Sequence, residues 1–178
     1  MEWTGARYAD GPTVEVSGRI AASPERVWEL VSDIGLMPAL SGELQSVAWV
    51  EGASGPALGA RFTGRSRHTS LGEWETTSYV VECEAPRVFA WAVSDPERPG
   101  ALWRFGLAER DDGGTDLTQW MRLGPGRSGL SLAIDRMPDK EQKIVFVRLR
   151  EFERSMTATI DAIKQLAEGT ATVEGVRA

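Results

Sequence analysis

Between Pro138 and Gly169 the residues Val145, Leu149, Phe152, Met156, Ile160, Ile163 and Leu166 recur at steps of three or four. That spacing draws one apolar stripe along an α-helix. Pro138 suits a first helical position, Asp139 and Glu141 put negative charge where the helix dipole favours it, and Gly169 supplies the stop. At about 1.5 Å per residue such a helix runs for roughly 45 Å. A stripe that long must lie on a broad apolar surface, and the rest of the chain has to provide one.

The surface it offers is a curved antiparallel sheet. Thr13–Ala22 alternates Val14, Val16, Gly18 and Ile20 against Glu15, Ser17 and Arg19, the pattern of a half-buried strand. Ser23, Pro24 and Glu25 then open a short helix carrying Val27, Trp28, Leu30 and Val31; it ends near Asp33–Gly35, and Pro38 limits a second one. Six further alternating runs follow, at about 43–51, 60–69, 73–84, 87–94, 101–110 and 115–123. Ser70–Gly72, Ala85–Pro86 and Asp111–Gly114 are turns that join five of them. The prediction is an α+β fold with a seven-stranded sheet wrapped around the last helix. Residues 13–168 form one domain, and 1–12 and 169–178 are frayed extensions.

Composition removes several functions. The 178 residues carry a net charge of -6, which argues against a general grip on nucleic acid. Cys83 is the lone cysteine and His68 the lone histidine, so the chain lacks the several Cys and His ligands of a usual zinc site. Met1–Trp3 shows neither the basic start nor the apolar core of a signal segment, and no run approaches the roughly 20 apolar residues of a membrane span. A cytoplasmic protein with no integral membrane association, no metal and no cofactor is expected. Gly124–Gly129 (GPGRSG) matches the letters of a dinucleotide fingerprint, but a strand that closes an antiparallel meander is the wrong setting for it.

Two motifs carry a family resemblance. Ala22–Asp33 (ASPERVWELVSD) resembles the first-helix signature of the START-like (SRPBCC) superfamily, and Gly113-Gly114-Thr115 resembles the hairpin before its last strand. With the element order, the chain is most similar to the polyketide cyclase/dehydrase and lipid-transport group. The resemblance implies a helix-grip fold with a deep apolar cavity between sheet and helix, used for lipids, polyketides or other hydrophobic ligands.

Strand parity says which residues would face that cavity, because alternate side chains point to opposite faces. With Phe62 inward, Gly64, Ser66 and His68 follow, and Arg61, Thr63, Arg65 and Arg67 face water. The next rows are Trp74, Thr76, Ser78 and Val80; Phe89, Trp91 and Val93; Trp103, Phe105 and Leu107; then Leu117, Gln119, Met121 and Leu123. The expected ligand contacts are Phe62, Ser66, His68, Trp74, Thr76, Ser78, Trp91, Trp103, Phe105, Gln119 and Met121. Aromatic rings with a few hydroxyl and amide groups suit an apolar ligand with polar handles. Such rings also fill an ordinary core; the small Gly64, Ser66, Thr76 and Ser78 favour a gap.

His68 is the best acid/base candidate, since histidine is the side chain that changes charge near neutrality, with a hydrogen-bonded rim histidine as the other reading. Ser66 lacks a nucleophile elbow. Pro125–Pro138 is either a mouth lid or a surface loop. Asp111, Asp112 and Asp116 lack calcium-loop spacing and read as a solvated turn. Glu73 and Glu75 are placed to neutralise the outward arginines, and Glu151 and Glu153 to pair with Arg148, Arg150 and Arg154, although Arg148 can also reach the cavity entrance. Aromatase/cyclases of the superfamily carry a cavity arginine and a tyrosine where this chain aligns Val80 and Leu44, and Met37 replaces a tryptophan. The expected function is therefore to carry or sense a hydrophobic small molecule. A cyclase or dehydrase acting on an enolisable carbonyl is the alternative, and a protein-interaction domain a third; the oligomeric state stays open.

Overall fold

The structure is a computed structural model that describes residues 2–50 and 52–177. The expected end of the second strand at Glu51, and the chain termini Met1 and Ala178, lie outside the described residues. Seven strands, β1 (Thr13–Ile20), β2 (Leu44–Trp49), β3 (Arg61–His68), β4 (Gly72–Glu84), β5 (Val88–Val93), β6 (Ala101–Glu109) and β7 (Thr115–Leu123), form one sheet in the order β1-β7-β6-β5-β4-β3-β2. Every pairing is antiparallel. Each strand from β2 to β7 thus pairs with the next, and β1 closes onto β7.

Helix α1 (Pro24–Val31) begins as its residues dictate. The Ser23 hydroxyl accepts from the Arg26 N–H and Pro24 takes the first helical position, where its missing donor costs nothing. Asp33 then accepts from the Gly35 N–H to start a 3-10 turn at Ile34–Leu36, followed by one turn of helix, α2 (Met37–Leu40). The long helix α4 (Glu141–Ala167) is preceded by a 3-10 turn at Pro138–Lys140, so its continuous α-helical part starts three residues later than the acidic, proline-led start predicts. Of its seven stripe residues all are buried except Phe152, which is half-buried. α4 crosses β1 closely enough that a Cβ on Gly18 would sit 2.5 Å from Ile160.

Three expectations are corrected. Part of the segment read as a loop or lid is helix α3 (Gly129–Arg136), with Ser128 and Ser131 closing a capping box at its start and Leu130 buried. The alternation of β4 breaks at a bulge between Val80 and Glu82, which brings Cys83 to the inner face against the core. The frayed N-terminal extension is tied down instead. Trp3 meets Phe146 edge-on, Gln142 donates to the Gly5 carbonyl at 2.7 Å, and the Tyr8 N–H donates to Glu141 at 3.1 Å. At the other end α5 (Val173–Arg177) sits beside α2.

Two apolar clusters hold the layers together. One joins α1 and α4 to the sheet through Ile20, Val27, Phe89, Leu117 and Ile163. The other joins β7, α3 and α4 through Met121, Leu130, Val145 and Leu149.

Candidate ligand cavity

Residues of both clusters line a cavity of about 600 Å³ between the sheet and α4. The sheet contributes Phe62, Ser66, Trp74, Thr76, Ser78, Trp91, Trp103, Phe105 and Gln119, nine of the eleven side chains expected from parity. Met121 and His68 are not among its lining: Met121 is fully buried in the second cluster, and His68 stands at the end of β3. Across from the sheet, Leu30, Met37, Leu40, Leu130, Phe152 and Met156 close the space. The roles of α2 and α3 there were not predicted, because four and eight residues carry too little periodicity to mark an inner face.

The aromatic wall has a definite order. Trp91 and Trp103 lie nearly parallel, 11° apart with centroids at 6.3 Å, and Phe152 meets Trp103 edge-on at 5.2 Å. The two indoles face each other because Trp91 and Trp103 are register partners on β5 and β6. Gly64 is small for a reason parity cannot show: its missing Cβ makes way for the Leu44 side chain, 3.0 Å from where that atom would be.

Polar groups are few and unevenly satisfied. The described residues supply no hydrogen-bond partner for the hydroxyls of Ser66, Thr76 and Ser78. Gln119 is 6% exposed, and its Oε1 is one of two buried side-chain atoms without a partner among the described residues. A buried orphan acceptor costs about 1–3 kcal/mol, so its place on a cavity wall calls for a partner that the chain does not supply.

The charged end of the cavity is built around Arg148, which the sequence places by surface pairing or at the entrance. Its side chain is 7% exposed, with Nη1 donating to Glu43 Oε1 at 2.5 Å and Nη2 to Glu43 Oε2 at 2.7 Å. Nη1 also donates to Glu151 at 3.1 Å, and the guanidinium carbon lies 4.1 Å above the Phe152 ring. Burial pulls this guanidinium down, yet the two carboxylates outweigh burial and hold it above its ordinary range. His68 joins from outside. Its Nδ1 accepts from the Ser70 N–H at 3.2 Å, which places the neutral ring's proton on Nε2, 3.5 Å from Glu151. Glu43, His68 and Glu151 bring one ligand atom each within 4.8 Å of one another. The Arg148 guanidinium already bonds both carboxylates there, so a metal ion would meet a buried like charge.

α3 and the adjoining loops also border the cavity, with Leu132 and Arg127 on the lining and Arg127 paired to Asp135. The Tyr8 hydroxyl reaches the Gly126 carbonyl at 2.7 Å, the Gly100 carbonyl at 3.0 Å and Ser128 Oγ at 3.1 Å. It joins the loop before β6 to the loop before α3. Gly126 lies so close to this first loop that a Cβ would fall 2.0 Å from the Arg98 carbonyl oxygen. Of the glycines of GPGRSG, Gly126 serves this close chain approach and Gly124 holds a φ of 71°, whereas a Cβ on Gly129 would meet nothing within 4 Å.

Residues 11–168 match the family model described as polyketide cyclase / dehydrase and lipid transport. The chain belongs to that family. A polyketide-cyclase-like protein from Corynebacterium glutamicum is 32% identical, with a TM-score of 0.65 over 89% of this chain and 92% of the other. An aromatase/cyclase from Streptomyces sp. R1128 is 16% identical, with a TM-score of 0.63 over 92% and 98%. The di-domain aromatase/cyclase of the steffimycin biosynthetic pathway is 11% identical at a TM-score of 0.62, over 89% of this chain and 51% of that one. These last two share the helix-grip fold. No curated protein matches the chain at a significant level.

Proposed function

We propose that the protein binds a hydrophobic small molecule, lipid-like or polyketide-like, between the sheet and α4 and acts as its carrier or sensor. One observation carries this reading: an aromatic-lined space of about 600 Å³ inside a domain whose two apolar clusters are otherwise packed. Protein interiors rarely keep voids larger than a water molecule, and ligand pockets run to about 300–1,000 Å³. The stacked Trp91 and Trp103 faces offer a flat apolar surface to such a ligand. The family description and the aromatase/cyclase neighbours support the same ligand class.

A cyclase or dehydrase needs an acid or base beside the ligand. His68 does not line the cavity, and its free edge faces Glu151. Of the carboxylates that border it, Glu43 is held in the Arg148 fork, Glu75 is paired with Arg65 and Glu73 is exposed, while Ser78 and Gln119 do not titrate near neutrality. Carrier or sensor is therefore favoured over enzyme. Turnover of an enolisable polyketide mimic that is lost in His68→Ala with binding intact would reverse that order.

The test is native mass spectrometry of freshly purified protein with tryptophan fluorescence titration against lipids and aromatic polyketides. A co-purifying apolar molecule, or quenching that is lost in Trp103→Ala, is the expected result. A clean apo mass with no fluorescence response to any of these hydrophobes would overturn the proposal.

A further inference from the structure

Arg148 is the buried cation of the cavity wall, and an apolar ligand with an acidic head would be expected to seek it. Its surroundings oppose that. Both Nη atoms are engaged by Glu43 and Nη1 also by Glu151, so two carboxylates face one guanidinium. Glu73 and Glu75 also border the cavity but are exposed, lie opposite Arg67 and Arg65 on β3, and Glu75 is paired with Arg65 at 2.7 Å, so the opposing charge is that of Glu43 and Glu151. The remaining cation on the lining, Arg127, is 68% exposed and paired with Asp135. Among the described lining residues no positive charge is left for an anion. A carboxylate entering here would have to break the Arg148 fork or settle beside the excess negative charge of Glu43 and Glu151.

The uncharged polar groups point the same way by an independent route. Gln119 Oε1 is an acceptor that is buried and unpartnered. The Ser66, Thr76 and Ser78 hydroxyls add groups that donate or accept. An orphan acceptor is satisfied by an O–H donor, which an alcohol or phenol has and an ionised carboxylate lacks.

We infer that the cavity is selective for uncharged, hydroxyl-bearing apolar ligands and discriminates against carboxylates on the same skeleton. This rests on the proposed reading of the cavity as a ligand site. The experiment is isothermal titration calorimetry of the full chain at pH 7.5 with 2-naphthol and 2-naphthoate, two probes that share a ring system and differ in charge and donor.

2-Naphthol is expected to bind at least about tenfold more tightly, the ratio that corresponds to one well-made hydrogen bond. Gln119→Leu should lower 2-naphthol affinity by about the same factor, and Glu43→Gln should raise 2-naphthoate affinity by removing one of the opposing charges. The wild-type comparison depends on no variant folding. Equal or tighter binding of 2-naphthoate would overturn the selectivity and leave the cavity reading standing. Binding of neither probe would overturn the selectivity where lipids or polyketides still bind, and would overturn the cavity reading with it where they do not.

Discussion

Replacing Arg148 by methionine keeps most of the side-chain stem over Phe152 and removes the charge. Glu43 and Glu151 are then left facing each other without their shared partner. Breaking a fully buried ion pair by deleting one member costs about 3–5 kcal/mol. Here the side chains of Glu43 and Glu151 are 27% and 32% exposed, so water relieves part of the stranded charge. The expected loss falls to about 2–3 kcal/mol, below the range for complete burial. For a chain of this length each kcal/mol shifts Tm by about 2–4 °C, which predicts a fall of roughly 5–10 °C. Urea unfolding followed by tryptophan fluorescence and by circular dichroism measures it, with an unchanged m-value showing that the denatured state is unaltered. Adding Glu43→Gln to Arg148→Met removes one stranded charge and should recover about 1 kcal/mol, a non-additivity expected of residues in contact. If Arg148→Met lies within about 0.5 kcal/mol of wild type, the charge cluster does not hold the second strand to the long helix and the reasoning fails.

Gly18→Ala should destabilise by about 1–3 kcal/mol, because the new Cβ would meet Ile160 Cγ2 at 2.5 Å where β1 packs on α4; thermal unfolding checks it. Ser94, which lines the cavity, holds a φ of 74° without being glycine, so Ser94→Gly should stabilise by about 0.5–1 kcal/mol in urea titration once the more flexible unfolded chain is counted. The Ala21 backbone N–H and then Lys164 hold the Glu168 carboxyl below its usual range. A depressed carboxylate stabilises above its unfolded pKa, about 4.3, and loses that contribution as pH falls through the lower folded value. Melting temperatures of wild type and Glu168→Gln should therefore differ at pH 6 and converge as pH falls below about 4.3.

The sheet and the long helix were legible because each strand alternates with a period of two and the last helix repeats at steps of three or four. Phe62, Trp91, Trp103 and Phe105 could be put on one inner surface from that alternation, and the cavity lining includes all four. Three features escaped, each for a physical reason. The bulge between Val80 and Glu82 resets the alternation with no glycine or proline to announce it, and so hides the inward turn of Cys83. Helix α3 starts among glycine, serine and proline, and in eight residues shows only two turns of pattern. The Arg148–Glu43 fork joins residues 105 apart, while Glu151, three residues away, offers a local partner that explains the arginine without it.

The hydroxyl of Tyr8 bonds three groups on the loops before β6 and α3, yet Tyr8 precedes residue 11, where the family match begins. Two loops that border the cavity are thus tied together by a residue that lies outside both the cavity lining and the family match. A protein trimmed to the family boundary would keep its cavity wall and lose a latch. On the proposed reading of the cavity as a ligand site, equilibrium affinity and residence time would then part company, with dissociation quickening while the contacts inside stayed the same.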